Sequence, residues 1–216
     1  MLEYIHYVDP NSEEMLLHLD SIPKTPGICF FMDINKSTDL KYLGGLRDWG
    51  RKLNNTFNHL IYANHLEKYV VKGIGDEIMV FIPEEELNAK TGFSTCFSIL
   101  EDIYSALFLI NHHPDPDVFL RCKVAIHYGT EAYNITFLEG ANDYYGSDVD
   151  LTARLMSKAI ESRIVVSESF YIKVLSDLVS MSMPSNTGCL SRISEKYLEN
   201  FRGVPVSTEF RFIDVD

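Results

Sequence analysis

The sequence predicts an α+β fold with a ferredoxin-like β-α-β-β-α-β core in a single domain. Three observations lead there. Gly27 to Ile34 is a near-continuous apolar run of strand length. Tyr69–Val71 and Ile78–Phe81 are two more strand-like runs, separated by a turn that carries Gly73, Gly75 and Asp76. Longer stretches of helical spacing or length, Ser37 to about His65 and Phe93 to Asn111, alternate with these strands in the required order.

Residues 1–25 are mixed in character, end in Ile22-Pro23-Lys24-Thr25-Pro26, and read as an N-terminal extension ahead of a domain spanning 26–216. The Gly27–Ile34 run suits a strand buried on both faces. In the next stretch Leu53, Phe57, Leu60 and Ile61 give one apolar helical face, with Gly44-Gly45 as an interruption. Glycines in the turn before Ile78 let the backbone bend tightly and approach a ligand closely. After the Phe93–Asn111 helix come two expected strands, Phe119–Ile126 and Tyr133–Phe137, and a helix starting near Asp148. Ile164–Val166 is a short strand, and Thr208–Ile213 is expected to close the sheet. There is no internal repeat or low-complexity segment.

A chain of 216 residues is long enough for one domain with a substantial core. Its 46% hydrophobic and 23% charged residues are ordinary for a soluble protein. No run approaches the roughly 18 apolar residues of a membrane span. The first residues carry acids, a histidine and Pro10 rather than a secretory pattern, so no membrane association and a cytoplasmic location are expected. The four cysteines, Cys29, Cys96, Cys122 and Cys189, lack paired spacing, which argues against zinc or disulfides. A net charge of −12 argues against a nucleic-acid surface. It leaves room for a nucleoside triphosphate, which a local cluster of basic residues and metal can bind.

Two aspartates stand out: Asp33, in Phe30-Phe31-Met32-Asp33-Ile34-Asn35-Lys36-Ser37, and Asp76, in Lys72-Gly73-Ile74-Gly75-Asp76-Glu77. A carboxylate at the mouth of a buried strand is costly without a partner, and a divalent cation is a common one. Two such groups can bracket two metal ions, a frequent arrangement in phosphoryl chemistry. Each aspartate taken alone could equally cap a helix or a turn.

A third segment, Asp143-Tyr144-Tyr145-Gly146-Ser147-Asp148-Val149-Asp150-Leu151-Thr152-Ala153-Arg154, completes an ordered set. Together the three stretches resemble the class III nucleotidyl cyclase catalytic domain, whose pattern is F-x-D-I-x-x-[ST], K-x-x-G-D, then D-x-x-G-x-x-V-N-x-x-x-R. The resemblance spans roughly residues 26–170. It implies that Asp33 and Asp76, with the Ile34 carbonyl, hold two Mg²⁺ or Mn²⁺ ions that activate the ribose 3′-hydroxyl and neutralise the triphosphate. It also implies that Lys72 and Asp143 read the base, a donor and an acceptor respectively. Arg154 would stabilise charge at the transferring phosphate, and Arg163 and Arg202 would bind the triphosphate. The alternatives are a solvated Lys72, a turn aspartate at 143, a helical Asp150–Arg154 pair, and surface charge at Arg163 and Arg202.

The chain departs from the pattern at Asp150, where the family usually has Asn. An ionised Asp accepts hydrogen bonds but cannot donate one to the ribose. The look of the chain, with Leu40-Lys41-Tyr42, Trp49-Gly50 and Val149-Asp150, is similar to the bacterial Pycsar pyrimidine cyclases, which make cyclic UMP or CMP as an anti-phage signal for a separate effector. The expected substrate is therefore UTP, then CTP, with ATP as the alternative that Lys72 and Asp143 favour by the family's usual rule. Class III sites lie between two domains, so a homodimer with two composite sites is expected. Two other readings remain: a diguanylate cyclase, loosely matched by Gly75-Asp76-Glu77-Ile78, and a non-catalytic nucleotide-binding relative, which Asp150 keeps open.

Overall fold

The structure is a computed structural model that describes residues 2–7, 9, 11–88, 93–176 and 188–215. The chain runs through strand β1 (Glu3–Tyr4), helix α1 (Glu13–Ser21), β2 (Gly27–Ile34), α2 (Ser37–Phe57), β3 (Val70–Ile74) and β4 (Glu77–Pro83). Next come α3 (Glu84–Asn88), α4 (Phe93–Asn111), β5 (Cys122–Gly129), β6 (Ala132–Tyr133), β7 (Ile135–Thr136) and β8 (Tyr145–Gly146). The last elements are α5 (Ser147–Leu155), β9 (Arg163–Ser167), α6 (Glu168–Phe170), β10 (Tyr197–Glu199) and β11 (Thr208–Asp214).

A seven-stranded sheet in the order β10-β11-β9-β5-β2-β4-β3 forms the centre. The four strands β3-β4-β2-β5, with α2 and α4, make the expected β-α-β-β-α-β core; β9, parallel to β5, then β11 and β10 extend it. Strand β2 pairs along its length with both β4 and β5, and every residue except Asp33 is buried. Strand alternation divides its side chains between two cores. Ile28, Phe30, Met32 and Ile34 pack with Leu60, Leu100, Ile103 and Leu107 under α2 and α4. Cys29 and Phe31 pack on the other face with Met79, Phe81, Ala125, Val165 and Leu155 of α5.

The Phe93–Asn111 helix and the Ile164–Val166 strand lie where the sequence placed them. Helix α2 is interrupted at Gly45, whose φ of 71° and ψ of 164° lie outside the helical region, and it gives way to a π-helical turn over Asn58–Tyr62. Three expectations need correction. The strand expected over Phe119–Ile126 begins at Cys122 and runs to Gly129. Phe119 and Leu120 are buried ahead of it, where the Leu120 amide donates to Thr56 Oγ1, so their apolar character reports burial rather than strand. Tyr133–Phe137 is split at Asn134 into β6 and β7, which pair with different partners, β8 and β1. Strand β11 does not end the sheet, because β10 lies outside it.

Ahead of Pro26 the chain forms β1 and α1, neither expected from sequence. Ser12 caps α1 by accepting from the Met15 amide, and Ile5 and Ile22 bury against Ile135 in a small separate cluster. Cys29, Cys122 and Cys189 are free and buried, and burial pushes the Cys29 thiol up to about 12; the Cys96 side chain lies outside the described residues. No helix among the described residues is long and apolar enough to cross a membrane.

Candidate active site

Antiparallel register sets the acidic end of the sheet. Asp33, at the end of β2, stands opposite Glu77 on β4 and opposite Lys123 on β5. Asp76 is the residue before Glu77, in the tight β3–β4 turn where Gly75 has a φ of 71°. Three carboxylates thus gather at one place. Burial, and then the negative charge of Asp33, pushes the Glu77 carboxyl up to about 7. Asp33 is met by Lys123 at 3.0 Å and Asp76 by Lys41 at 3.2 Å. No group of three or more His, Cys, Asp or Glu side chains among the described residues is arranged to hold a metal. A Mg²⁺ site needs only one or two carboxylates, with water and substrate phosphates supplying the rest. Asp33, Asp76 and the Ile34 carbonyl supply hard oxygen donors of that kind, so the donor set fits Mg²⁺ or Mn²⁺.

Just past β2, Lys36 takes a left-handed φ of 55° and α2 begins at Ser37. Ser37 is 4% exposed, and its hydroxyl has no hydrogen-bond partner among the described residues. A helix N-terminus beside an unpaired buried hydroxyl offers donors to an anion.

Lys72 reaches its partner because β3 is irregular. Val70 stands opposite Val80, which faces the α2/α4 core, whereas Lys72 stands opposite Met79, which faces the other core. The bulge between them turns Lys72 to the second face, a common use of bulges beside functional sites. There Lys72 Nζ donates to both oxygens of Asp143 at 2.7 Å. Asp143 is 8% exposed and also accepts from the Tyr144 amide at 2.8 Å. The Tyr144 ring stacks on Phe81 with centroids 4.0 Å apart, and Lys72 lies 5.7 Å from the Tyr145 ring centre.

Helix α5 is fastened to the sheet through Asp148. Its carboxylate pairs with His127 Nε2 at 3.1 Å and accepts a short hydrogen bond from the Glu131 amide; the Thr152 hydroxyl donates to the Asp148 carbonyl. Gly129 is required by this approach, because a Cβ there would collide with the Asp148 carboxylate. Asp150 and Arg154 are exposed one helical turn apart, and their side chains make no hydrogen bond or ion pair with the described residues, so the helical pair considered above is not formed. Arg163 is engaged: its Nε bonds Asp214 at 2.7 Å. Arg202 is exposed in the turn between β10 and β11.

The structure therefore brings Asp33 and Asp76 to one end of the hairpin, joins Lys72 to Asp143, and leaves Asp150 and Arg154 displayed on α5. Sequence reasoning missed Glu77, the counter-charges Lys123 and Lys41, the Ser37 hydroxyl, and the His127–Asp148 fastening. Lys123 was the most visible signal, a lysine inside the otherwise apolar Cys122–Ile126 run. A cavity of about 560 Å³ lies elsewhere, between α2 and the hairpin against Val70 and Ile78, and is lined by none of the expected site residues.

The adenylate and guanylate cyclase catalytic domain model matches residues 24–188. No curated protein sequence matches the chain. Among solved structures, the adenylyl cyclase CyaB from P. aeruginosa is similar with a TM-score of 0.63 at 17% identity, over 89% of this chain and 95% of that one. The guanylyl cyclase Cya2 gives 0.62 at 17%, over 89% and 93%. An adenylate cyclase from Trypanosoma brucei, described in its monomeric state, gives 0.58 at 16%, over 88% of each. The family model spans most of the chain, and the chain belongs to the adenylate and guanylate cyclase catalytic domain family.

Proposed function

We propose that this cyclase domain converts a pyrimidine nucleoside triphosphate, UTP ahead of CTP, to the 3′,5′-cyclic monophosphate and pyrophosphate. In this reaction the ribose 3′-oxygen attacks the α-phosphorus, its proton leaves, and the bond from the α-phosphorus to the bridging oxygen breaks. Two divalent ions, when bound, lower the pKa of the 3′-hydroxyl and neutralise the leaving charge. Asp33, Asp76 and the Ile34 carbonyl hold them, with Lys123 and Lys41 giving up their carboxylate partners. Arg154 meets charge developing on the transferring phosphate, and Asp150 accepts from a sugar hydroxyl. Arg202 meets the triphosphate, joined by Arg163 once it leaves Asp214.

The observation that carries the reading is the Lys72–Asp143 pair, a donor beside an acceptor on one side of the Tyr144–Phe81 stack. Uracil presents O4 beside N3–H, and cytosine presents N3 beside an exocyclic amine, so both complement such a pair. Adenine, with N1 beside its amine, and guanine, with O6 beside N1–H, do so too; cyclic AMP synthesis is the alternative. The pyrimidine preference is supported by the resemblance to pyrimidine cyclases and by Asp150, which departs from the usual Asn. A cytoplasmic anti-phage role with a separate cyclic-nucleotide effector goes with that preference.

Asp33 and Asp76 act from one chain of a homodimer, and Lys72, Asp143, Asp150 and Arg154 from the other. Pyrophosphate release with Mn²⁺ and each of UTP, CTP, ATP and GTP tests the proposal. A higher kcat/KM for UTP or CTP supports it, and a higher value for ATP selects the alternative. Metal-dependent stabilisation by a triphosphate without release would select a non-catalytic nucleotide binder, the reading that Asp150 keeps open and that Asp33, Asp76 and Arg154 count against.

A further inference from the structure

The segment from Ala132 to Gly146 lies outside the seven-stranded sheet and is held from two sides. β6 pairs with β8, placing Ala132 opposite Gly146 and Tyr133 opposite Tyr145. β7 pairs in parallel with β1. The Glu3 amide donates to the Asn134 carbonyl at 3.1 Å, and the Ile5 amide donates to the Thr136 carbonyl at 2.8 Å. The buried trio of Ile5, Ile22 and Ile135 anchors this contact. Asn134, fixed through its backbone, turns its side-chain amide across the neck of the loop to the Asp143 carbonyl, with Nδ2 3.2 Å from the oxygen.

We infer that Asn134 is a positioning residue for Asp143, and that the N-terminal segment 3–22 sets base recognition by holding Asn134 in place. The inference rests on the reading of Lys72 and Asp143 as the base contacts. Phe137 to Gly140 are exposed, and although the Phe137 ring meets Tyr145 edge-on at 5.3 Å, no buried side chain of this stretch reaches Asp143 itself. The Asp143 carboxylate already accepts from Lys72 and from its neighbour's amide, and both contacts depend on the orientation of the Asp143 backbone. Asn134 is the side chain that bonds that backbone carbonyl. Base contacts present in both ground and transition states act mainly on KM, so loosening Asp143 affects KM more than kcat.

The test uses the full chain with Asn134→Ala, which removes the donor, and Ile5→Glu, which undocks the N-terminal segment. Amide hydrogen exchange at residues 143–145 and steady-state kinetics are measured for each. Both variants are expected to exchange faster there and to raise KM roughly threefold to tenfold, the range for one lost hydrogen bond, with kcat nearly unchanged. Unchanged KM in both variants, or a loss confined to kcat, overturns the inference. If the unaltered protein turns over no nucleotide, the cyclase reading fails separately and exchange alone decides. Faster exchange at 143–145 in Asn134→Ala then sustains the positioning role, and unchanged exchange overturns it.

Discussion

Lys72 Nζ lies 2.7 Å from both carboxylate oxygens of Asp143, although the two residues come from opposite ends of the central segment of the chain. A β-bulge aims the lysine and a loop presents the aspartate. Lys72 retains 35% side-chain exposure and Asp143 12%, so the attraction is partly screened by water and offset by the cost of burying the carboxylate, and the pair contributes about 1–2 kcal/mol to stability. In the proposed function its value lies in recognition. Lys72→Ala or Asp143→Ala is expected to lower kcat/KM for the preferred nucleotide roughly tenfold to a hundredfold, the worth of a hydrogen bond to a charged group, while Tm falls by only a few degrees. Steady-state kinetics beside thermal melts check both halves.

Metal dependence follows from the acidic end of the hairpin. Asp33→Asn and Asp76→Asn each remove a charged donor from a site with few protein ligands. Activity is expected to fall by about two to three orders of magnitude, as for loss of a principal electrostatic contributor. The Mn²⁺-dependent rise in Tm should disappear as well. Without metal, each variant relieves repulsion within the Asp33, Asp76 and Glu77 group but loses the ion pair with Lys123 or Lys41, so stability should change by no more than about 1 kcal/mol. Melts with Mn²⁺ and with a chelator separate the two effects.

The fastening of α5 is structural, and its variants should behave accordingly. Asp148→Ala leaves His127 and the Glu131 amide without their acceptor and is expected to cost about 2–4 kcal/mol. Gly129→Ala meets the same carboxylate and should destabilise by about 1–3 kcal/mol. Asp150→Ala, on the exposed side of the same helix, should change stability by less than about 0.5 kcal/mol. Urea unfolding of the three variants orders them.

Glu161 gives the fold an acid-sensitive contact. Burial pushes its carboxyl up, but Asn35 and Arg121 outweigh that and hold it below the usual value. A lowered folded pKa means stability that is present above the unfolded pKa of about 4.5 and lost as pH falls through the folded value. Glu161→Gln should therefore flatten the stability–pH curve below about pH 4.5 and leave its shape near neutrality unchanged. Equilibrium unfolding from pH 3 to pH 7 reads this directly.

The core and the placing of Asp33 and Asp76 at the ends of apolar strands were legible because their signals are local. Apolar runs of strand length define β2 and β4, and a carboxylate that interrupts such a run is visible in sequence. The Lys123–Asp33 and Lys41–Asp76 pairings were not legible, because cross-strand register and helix placement decide them. Asn134 looked like one residue of a strand from Tyr133 to Phe137. Its role appears only once β6 and β7 are seen to pair with different partners. The segment ahead of Pro26 was opaque for a related reason. Its apolar residues are few, and they bury against Ile135 rather than in the main core.

The division of the site between two chains is tested most directly by mixing Asp33→Ala and Arg154→Ala proteins under conditions of subunit exchange, with Mn²⁺ and the preferred triphosphate. Each variant alone should be inactive. A mixed dimer carries one site with every residue intact, so equal mixing is expected to restore about a quarter of the unaltered activity, for a symmetric dimer with random exchange. Cyclic monophosphate detected by mass spectrometry identifies the product. No restored product, with subunit exchange demonstrated, would contradict the composite site.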